Sequence, residues 1–176
     1  MMHNGSIKKF EAIKRDVRKE FSDEVYSWVR GQTDSEHFYA LFLTNLFEAN
    51  IKEDTDRPNE VFDILRKTIL QIEEIKRDHG IDNPSLLNLV VSNGCWIVAV
   101  KYISDASDNA NTLYYSSGSK YECEEGICKM DKSIKDQHSV LVVSEKLTDI
   151  KDDWNSVPTN SGLIVTEELT TKIMEI

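Results

Sequence analysis

Residues 86–103, which read LLNLVVSNGCWIVAVKYI, decide the fold class of this chain. Two apolar, strand-like runs, 86–92 and 95–103, flank the dipeptide Asn93-Gly94. Asn-Gly is a strong hairpin signal because both residues tolerate a positive φ angle. The segment therefore predicts a strand, a tight turn and a second strand.

The half of the chain that precedes this hairpin has helical periodicity, with apolar residues recurring every three or four positions. Residues 26–29 are the exception and predict a short strand or turn. The predicted helices cover residues 7–21, a segment that begins at Thr33 or Asp34 and continues through the apolar run 38–47, and residues 59–79, which end before Gly80. The run 38–47 is apolar on almost every face, which is typical of a helix packed on both sides.

The half that follows the hairpin has the composition of strands. Short strands are predicted over residues 113–116, 138–144, 162–166 and 170–176, and the polar residues 117–137 predict a long loop or an irregular hairpin. Helices first and antiparallel strands afterwards are typical of an α+β fold rather than of alternating βαβ units. The length of 176 residues fits a single domain.

Composition and charge exclude several classes of function. The chain has 31 acidic and 21 basic residues and a net charge of −10, so nucleic acid and anionic membrane surfaces are disfavoured as partners. No apolar run reaches the ~18 residues that a membrane span needs. The N-terminus has no apolar core of a signal peptide. Three cysteines fit a reducing compartment, and a cytoplasmic location is expected.

The cysteines and histidines indicate neither a metal nor a cofactor. Cys95 heads an apolar strand and is predicted to be a small buried hydrophobe. Cys123 and Cys128 lack the further ligands of a zinc site, which leaves a reversible disulfide or two inert thiols. Spacing also leaves open a cysteine hydrolase that uses one cysteine and His138, although no local motif supports it. The four histidines are scattered along the chain.

Two short segments stand out together: HNG at residues 3–5 and TDSE at residues 33–36. Taken singly, the first predicts a turn and the second a helix cap. In combination, separated by a charged helix and followed by an apolar one, they resemble the glutaminase domain of class II glutamine amidotransferases. This is a family of N-terminal-nucleophile hydrolases.

The resemblance continues through the second half of the chain and covers essentially all 176 residues. The segments LYYSSG at 113–118, SEKLT at 144–148, DW at 153–154 and VPTN at 157–160 look like one branch of the family. That branch contains the amidotransferase subunit of the fungal glutathione-degrading complex, and bacterial γ-glutamyl amidases of ergothioneine synthesis are similar. Lys101 stands where this branch often has Arg.

The resemblance implies a fold, a substrate and site residues. The fold is the C-terminal portion of an αββα sandwich without its first strands, and the substrate is glutamine or a γ-glutamyl small molecule. The family's oxyanion-hole Asn and Gly match Asn4 and Gly5, and the Asp that binds the α-ammonium of the substrate matches Asp34. An amide side chain and a backbone N–H suit the oxyanion of amide hydrolysis.

The nucleophile of the family has no match in this sequence. It is a Cys exposed as the first residue, with its own α-amine as the base, whereas this chain begins with Met1 and all its cysteines are internal. The expectation is an N-terminally truncated record of an active enzyme that is inactive as it stands. The alternatives are a non-catalytic paralogue that binds or regulates a partner subunit, and a small α+β binding module with fortuitous motifs.

Overall fold

The computed structural model describes residues 1–52, 56–105, 110–118, 120–124, 126–131 and 139–176. The helices within these residues are α1 (Phe10–Lys19), α2 (Asp23–Trp28), α3 (Asp34–Glu48) and α4 (Pro58–Asp78), and a 3₁₀ turn covers Lys151–Asp153. The strands are β1 (Met2–Ile7), β2 (Ser85–Ser92), β3 (Ile97–Ile103), β4 (Tyr114–Gly118), β5 (Lys120–Glu124), β6 (Ile127–Asp131), β7 (Ser139–Val143), β8 (Asn155–Ser156), β9 (Ser161–Val165) and β10 (Thr171–Glu175). The predicted mixture of helix and sheet is confirmed.

The larger sheet is antiparallel, and its five described strands lie in the order β1-β2-β3-β9-β10. Its centre is the predicted hairpin, which forms β2 and β3. At the turn, Asn93 Oδ1 accepts a hydrogen bond from Cys95 N at 3.0 Å, and Gly94 has a φ angle of 100°. The hairpin is therefore as predicted, but only Gly94 uses a positive φ angle, and Asn93 acts through its side-chain acceptor.

The helices cover one face of this sheet. Apolar residues recur at helical spacing, so each helix has a stripe that must be buried against another element. Helix α3 is the most enclosed, as its all-round apolar run predicts, and its Phe38 is fully buried. The resulting core joins helices and sheet through Ile13, Val17, Phe38, Leu41, Leu65, Ile69, Leu87, Leu89, Val98 and Val100.

A smaller sheet packs on the opposite face. Its strands lie in the order β7-β4-β8. The apolar cluster between the two sheets contains Ala99, Leu163 and Val165 from the large sheet and Leu113, Tyr115, Val140, Val142 and Val157 from the second. The described part of the chain therefore has three layers, with the larger sheet in the middle.

Three local predictions are corrected by the structure. Residues 26–29 were expected to form a strand or turn, but helix α2 runs to Trp28, because Ser22 Oγ caps it at Val25 N and two acidic residues occupy its first turn. Cys95 is exposed rather than buried, since it belongs to the turn and β3 begins two residues later. The segment at residues 3–5 is not a turn but part of strand β1.

The predicted polar loop over residues 117–137 contains a hairpin, the second form that the sequence allows. Strands β5 and β6 pair so that Cys123 stands opposite Cys128, and Cys123 is disulfide-bonded. This agrees with a disulfide rather than with two inert thiols. His138 lies outside the described residues. In the described part of the chain, every helix is too short or too polar to cross a membrane.

Candidate active site

The four residues of the TDSE segment begin helix α3, and each has a separate structural role. Thr33 is the N-cap, and its Oγ1 accepts a hydrogen bond from Glu36 N at 3.2 Å. Glu36 turns its carboxylate back toward the preceding loop, where Oε1 accepts from Gly31 N at 2.8 Å. The backbone N–H groups of Gly31 and Arg30 both donate to this carboxylate. They lower the pKa of Glu36 because they stabilise its charged form. The cap therefore also orders the chain that enters the helix.

Asp34 and Ser35 reach in the other direction, to strand β1. Asp34 Oδ2 accepts a hydrogen bond from Ile7 N at 2.8 Å, and its Oδ1 accepts from Ser35 N at 2.8 Å. Ser35 Oγ lies 2.7 Å from His3 Nδ1. Burial lowers the pKa of His3, which favours the neutral ring in this contact. The two motifs are thus held together at two points.

The backbone of β1 presents an N–H group to this same place. In an antiparallel pair, the N–H groups of residues two apart point to the same side of their strand. Ile7 N points away from β2 and toward Asp34, so Gly5 N faces the same open edge. This edge is unpaired among the described strands, because β1 is the outermost strand of its sheet.

Gly5 is held in a backbone conformation that other residues rarely adopt. Its φ angle is 155°, and a Cβ atom at this position would lie 1.9 Å from the carbonyl oxygen of Leu86. A side chain here would therefore push β1 away from β2. The glycine lets the strand pair closely while its N–H stays at the edge.

Asn4 lies on the other face of the sheet from His3 and Gly5. Asn4 lies opposite Asn88 of β2. Asn88 lies opposite Lys101 of β3, which in turn lies opposite Ser161 of β9. Residues directly opposite each other share a face, so these side chains form a polar row on the side of the second sheet. Asn4 itself is exposed, and its carbonyl oxygen accepts from Asn111 Nδ2 at 3.5 Å.

Neither Cys95 nor Cys123 belongs to strand β1 or helix α3. Cys95 is in the β2–β3 turn, beyond Ser92 and several residues along β2 from Asn88. Cys123 is in the β5–β6 hairpin and is disulfide-bonded. Among the residues that the structure describes, no cluster of three or more His, Cys, Asp or Glu side chains could hold a metal ion. The site residues that the sequence predicts, Asn4, Gly5 and Asp34, supply an amide side chain, a backbone N–H and a carboxylate.

Comparison with known proteins shows which family the chain resembles. The chain is 35% identical over 179 aligned residues to a probable glutamine amidotransferase, DUG3, of Saccharomyces cerevisiae, and the match covers 95% of this chain. The chain is related to the class II glutamine amidotransferases. The match covers 49% of the yeast protein, so the chain spans about half the length of this curated relative. No protein-family model matches the chain.

A solved structure agrees with this relationship. A class II glutamine aminotransferase domain protein from Silicibacter pomeroyi superimposes with a TM-score of 0.71 at 25% identity. The superposition covers 99% of this chain and 66% of that protein. The predicted resemblance to class II glutamine amidotransferases is therefore confirmed by both sequence and fold.

Sequence reasoning found the two motifs but missed the polar row beside them. Asn88 is 4% exposed and Lys101 8% exposed, and both interrupt strands that are otherwise apolar. A polar residue inside a buried strand is uncommon and usually has a specific reason. That signal was present in residues 86–103, but only the structure aligns both residues with Asn4.

Proposed function

We propose that this chain forms the γ-glutamyl-binding part of a class II glutamine amidotransferase, acting as an amidohydrolase in the metabolism of glutathione or a related γ-glutamyl compound. The observation that supports the proposal is the hydrogen bond from Ile7 N to Asp34, which attaches helix α3 to the edge strand that also carries Asn4 and Gly5. The three described layers are then part of an αββα sandwich, a single domain whose first strands would continue the sheet beyond β1.

The spacing along β1 fits a γ-glutamyl group. Residues two apart in a strand are separated by roughly 6–7 Å, which is the offset between the N–H groups of Ile7 and Gly5. The α-nitrogen and the δ-carbonyl carbon of a glutamyl chain are four bonds apart, about 5 Å when extended. A substrate whose ammonium contacts the Asp34 carboxylate can therefore place its carbonyl near Gly5 N.

Each group then has a distinct role in amide hydrolysis. Attack on the δ-carbonyl carbon places negative charge on its oxygen, and Gly5 N–H with the Asn4 side-chain amide would stabilise that oxyanion. The Asp34 carboxylate would pair with the α-ammonium, which is cationic throughout the reaction. Its hydrogen bonds to Ile7 N and Ser35 N fix its position and leave lone pairs for the substrate.

The 176 residues on their own are proposed to be catalytically inactive. The family chemistry needs a cysteine thiol and an adjacent free α-amine as base, and Cys95 and Cys123 lie away from Asn4. Purified chain should therefore release no glutamate from glutamine or from a γ-glutamyl peptide. Glutamate release by the sequence-verified chain would contradict this part of the proposal.

A fusion tests the assigned roles. The N-terminal segment of an active family member, including its Cys, is placed before Met2, and glutamate release is measured. Asn4→Ala should lower kcat by ~10²–10³ with little change in KM, the usual effect of removing one oxyanion donor. Asp34→Asn should mainly raise KM, and by more for substrates with a free α-amine. The matched controls are Asn155→Ala and Asp23→Asn, at exposed positions.

The same fusion distinguishes the alternative, a non-catalytic subunit that binds a partner protein. In that case γ-glutamyl compounds would not be hydrolysed even with the Cys supplied, and Asn4→Ala would change nothing. KM effects at Asn4, or equal losses at Asp34 with and without the substrate amine, would show that the two roles are assigned wrongly.

A further inference from the structure

Asn88 and Lys101, two buried residues of the polar row that begins at Asn4, have donors or acceptors without a hydrogen-bond partner among the described residues. Asn88 Nδ2 donates to the carbonyl oxygen of Thr112 at 2.7 Å, but its buried Oδ1 has no partner among the described residues. Lys101 Nζ donates to the carbonyl oxygen of Val157 at 3.3 Å. Among the residues that the structure describes, Lys101 has no ion-pair partner.

Lys76, which is also buried, is an example of a lysine with a structural role. Lys76 Nζ donates to Asn83 O at 2.8 Å and to Ser85 Oγ at 2.7 Å, and lies 3.2 Å from Glu73 Oε2. Its ammonium group thus has three protein acceptors, one of them charged. Lys101 is 8% exposed, and within the described part of the chain its one acceptor is the neutral carbonyl oxygen of Val157.

A buried cation without a counter-ion is costly, so its retention needs a compensating ligand. The chain has no shortage of carboxylates, with 31 acidic residues and a net charge of −10. In the described structure none of them is directed to Lys101. The unfilled donors of Lys101 and the polar amide of Asn88 instead lie in the row that begins at Asn4. Adjacent strands are ~4.8 Å apart, so the row extends from the oxyanion side of the site toward the interior.

We propose that Lys101 forms a subsite for the carboxylate of the leaving group of a γ-glutamyl amino acid or peptide, and that the free Asn88 Oδ1 accepts a hydrogen bond from an N–H group of that leaving group. The inference rests on the proposed function, because it places the scissile carbonyl at Gly5 and Asn4. The leaving group then continues on the face of Asn4, toward Asn88. A γ-glutamyl peptide releases an amine that carries a carboxylate, whereas glutamine releases ammonia, so Lys101 selects for peptides over glutamine.

The first test is unfolding of the 176-residue chain by urea. Lys101→Met removes the buried charge but keeps the length of the side chain, so the midpoint should be unchanged or higher. Lys76→Met is the matched control and should lower the midpoint, because it leaves a carboxylate and two other acceptors unpaired. If Lys101→Met lowers the urea midpoint as much as Lys76→Met does, Lys101 has a structural role and the proposal is overturned.

The second test is calorimetric binding of γ-glutamyl-glycine and of γ-glutamyl-glycinamide, which lacks the terminal carboxylate. The chain should bind the acid roughly tenfold or more tightly than the amide, as for a charge-assisted hydrogen bond. Lys101→Met should abolish this preference and Lys101→Arg should keep it. Lys129→Met, at an exposed lysine, should behave like the unmodified chain.

The outcomes separate this subsite from the proposed function. The subsite alone would be overturned if glutamine binds but γ-glutamyl-glycine and γ-glutamyl-glycinamide bind with equal affinity. It would also be overturned if the preference for γ-glutamyl-glycine survives Lys101→Met. Binding of no γ-glutamyl compound at all would overturn the proposed function and the subsite with it.

Discussion

Asp34 Oδ2 accepts a hydrogen bond from the backbone N–H of Ile7 at 2.8 Å, across 27 residues of sequence. Asp34 is the first residue of helix α3, and Ile7 is the last residue of strand β1. The contact fixes the edge strand that carries Asn4 and Gly5 relative to the helix that carries the carboxylate. One side chain therefore connects the edge strand to the helix, and it is the same side chain that we propose as the partner of the substrate ammonium.

Removal of the Asp34 carboxylate should destabilise the chain. Asp34→Ala leaves the N–H of Ile7 without its acceptor, and Ile7 is 3% exposed. The expected loss is about 1–3 kcal/mol in the free energy of unfolding, measured with urea. Asp34→Asn keeps one acceptor oxygen and should lose less. Asp23→Ala, at an exposed position in the first turn of α2, should change stability by under ~1 kcal/mol; equal losses at both positions would contradict the assigned contact.

Gly5→Ala should destabilise the chain and loosen the edge strand. The added Cβ would meet the Leu86 carbonyl oxygen at 1.9 Å, and overpacking of this kind costs about 1–3 kcal/mol. Gly80→Ala is the control, because Gly80 also has a positive φ but a Cβ there meets nothing within 4 Å. Amide hydrogen exchange at Asn88 and Val90, whose N–H groups face β1, should accelerate in Gly5→Ala only. Unchanged exchange would mean that β1 tolerates a side chain there.

Acid should destabilise the fold in a window set by His37. Burial lowers the pKa of His37, whose Nε2 accepts from Arg18 Nε at 2.8 Å while Nδ1 lies 2.8 Å from Thr33 O. The unfolded chain then binds the proton more readily than the folded one. Stability should be fully present above the ordinary histidine pKa of ~6.5 and fall as the pH drops below it, by at most ~1.4 kcal/mol per pH unit.

Urea unfolding at pH 7.5 and pH 5.5 measures this effect. His37→Gln should reduce the difference between the two pH values. His3 contributes in the same direction, because burial lowers its pKa as well. His79→Gln is the control, since His79 lies at the surface beside Asp16. A pH dependence that is the same in His37→Gln as in the unmodified chain would contradict this account.

The secondary structure was predictable where local signals agree with tertiary packing. The Asn93-Gly94 turn, the cap at Thr33 and the long helix α4 follow from turn chemistry, capping and periodicity. Helix α2 was missed because a six-residue segment has too few apolar positions to show a helical period. Strand β1 was missed because Asn and Gly disfavour strands, and its pairing with β2, some 80 residues away, is invisible locally.

The site was predictable only in part, and for a related reason. The motifs at residues 3–5 and 33–36 indicate the family, but their contact through Ile7 and Ser35 depends on how β1 meets α3. The alignment of Asn88 and Lys101 with Asn4 depends on strand register, which the side chains of one strand do not specify.

The most direct test of the central claim is an NMR titration of the ¹⁵N-labelled chain with L-glutamine and with its des-amino analogue, glutaramic acid. If Asn4, Gly5 and Asp34 form a γ-glutamyl site, L-glutamine should shift the amide signals of Gly5 and Ser35 and bind more tightly than the analogue. Asp34→Asn should remove that difference in affinity. Equal binding of the two compounds, or shifts confined to other regions such as the β5–β6 hairpin, would contradict the account.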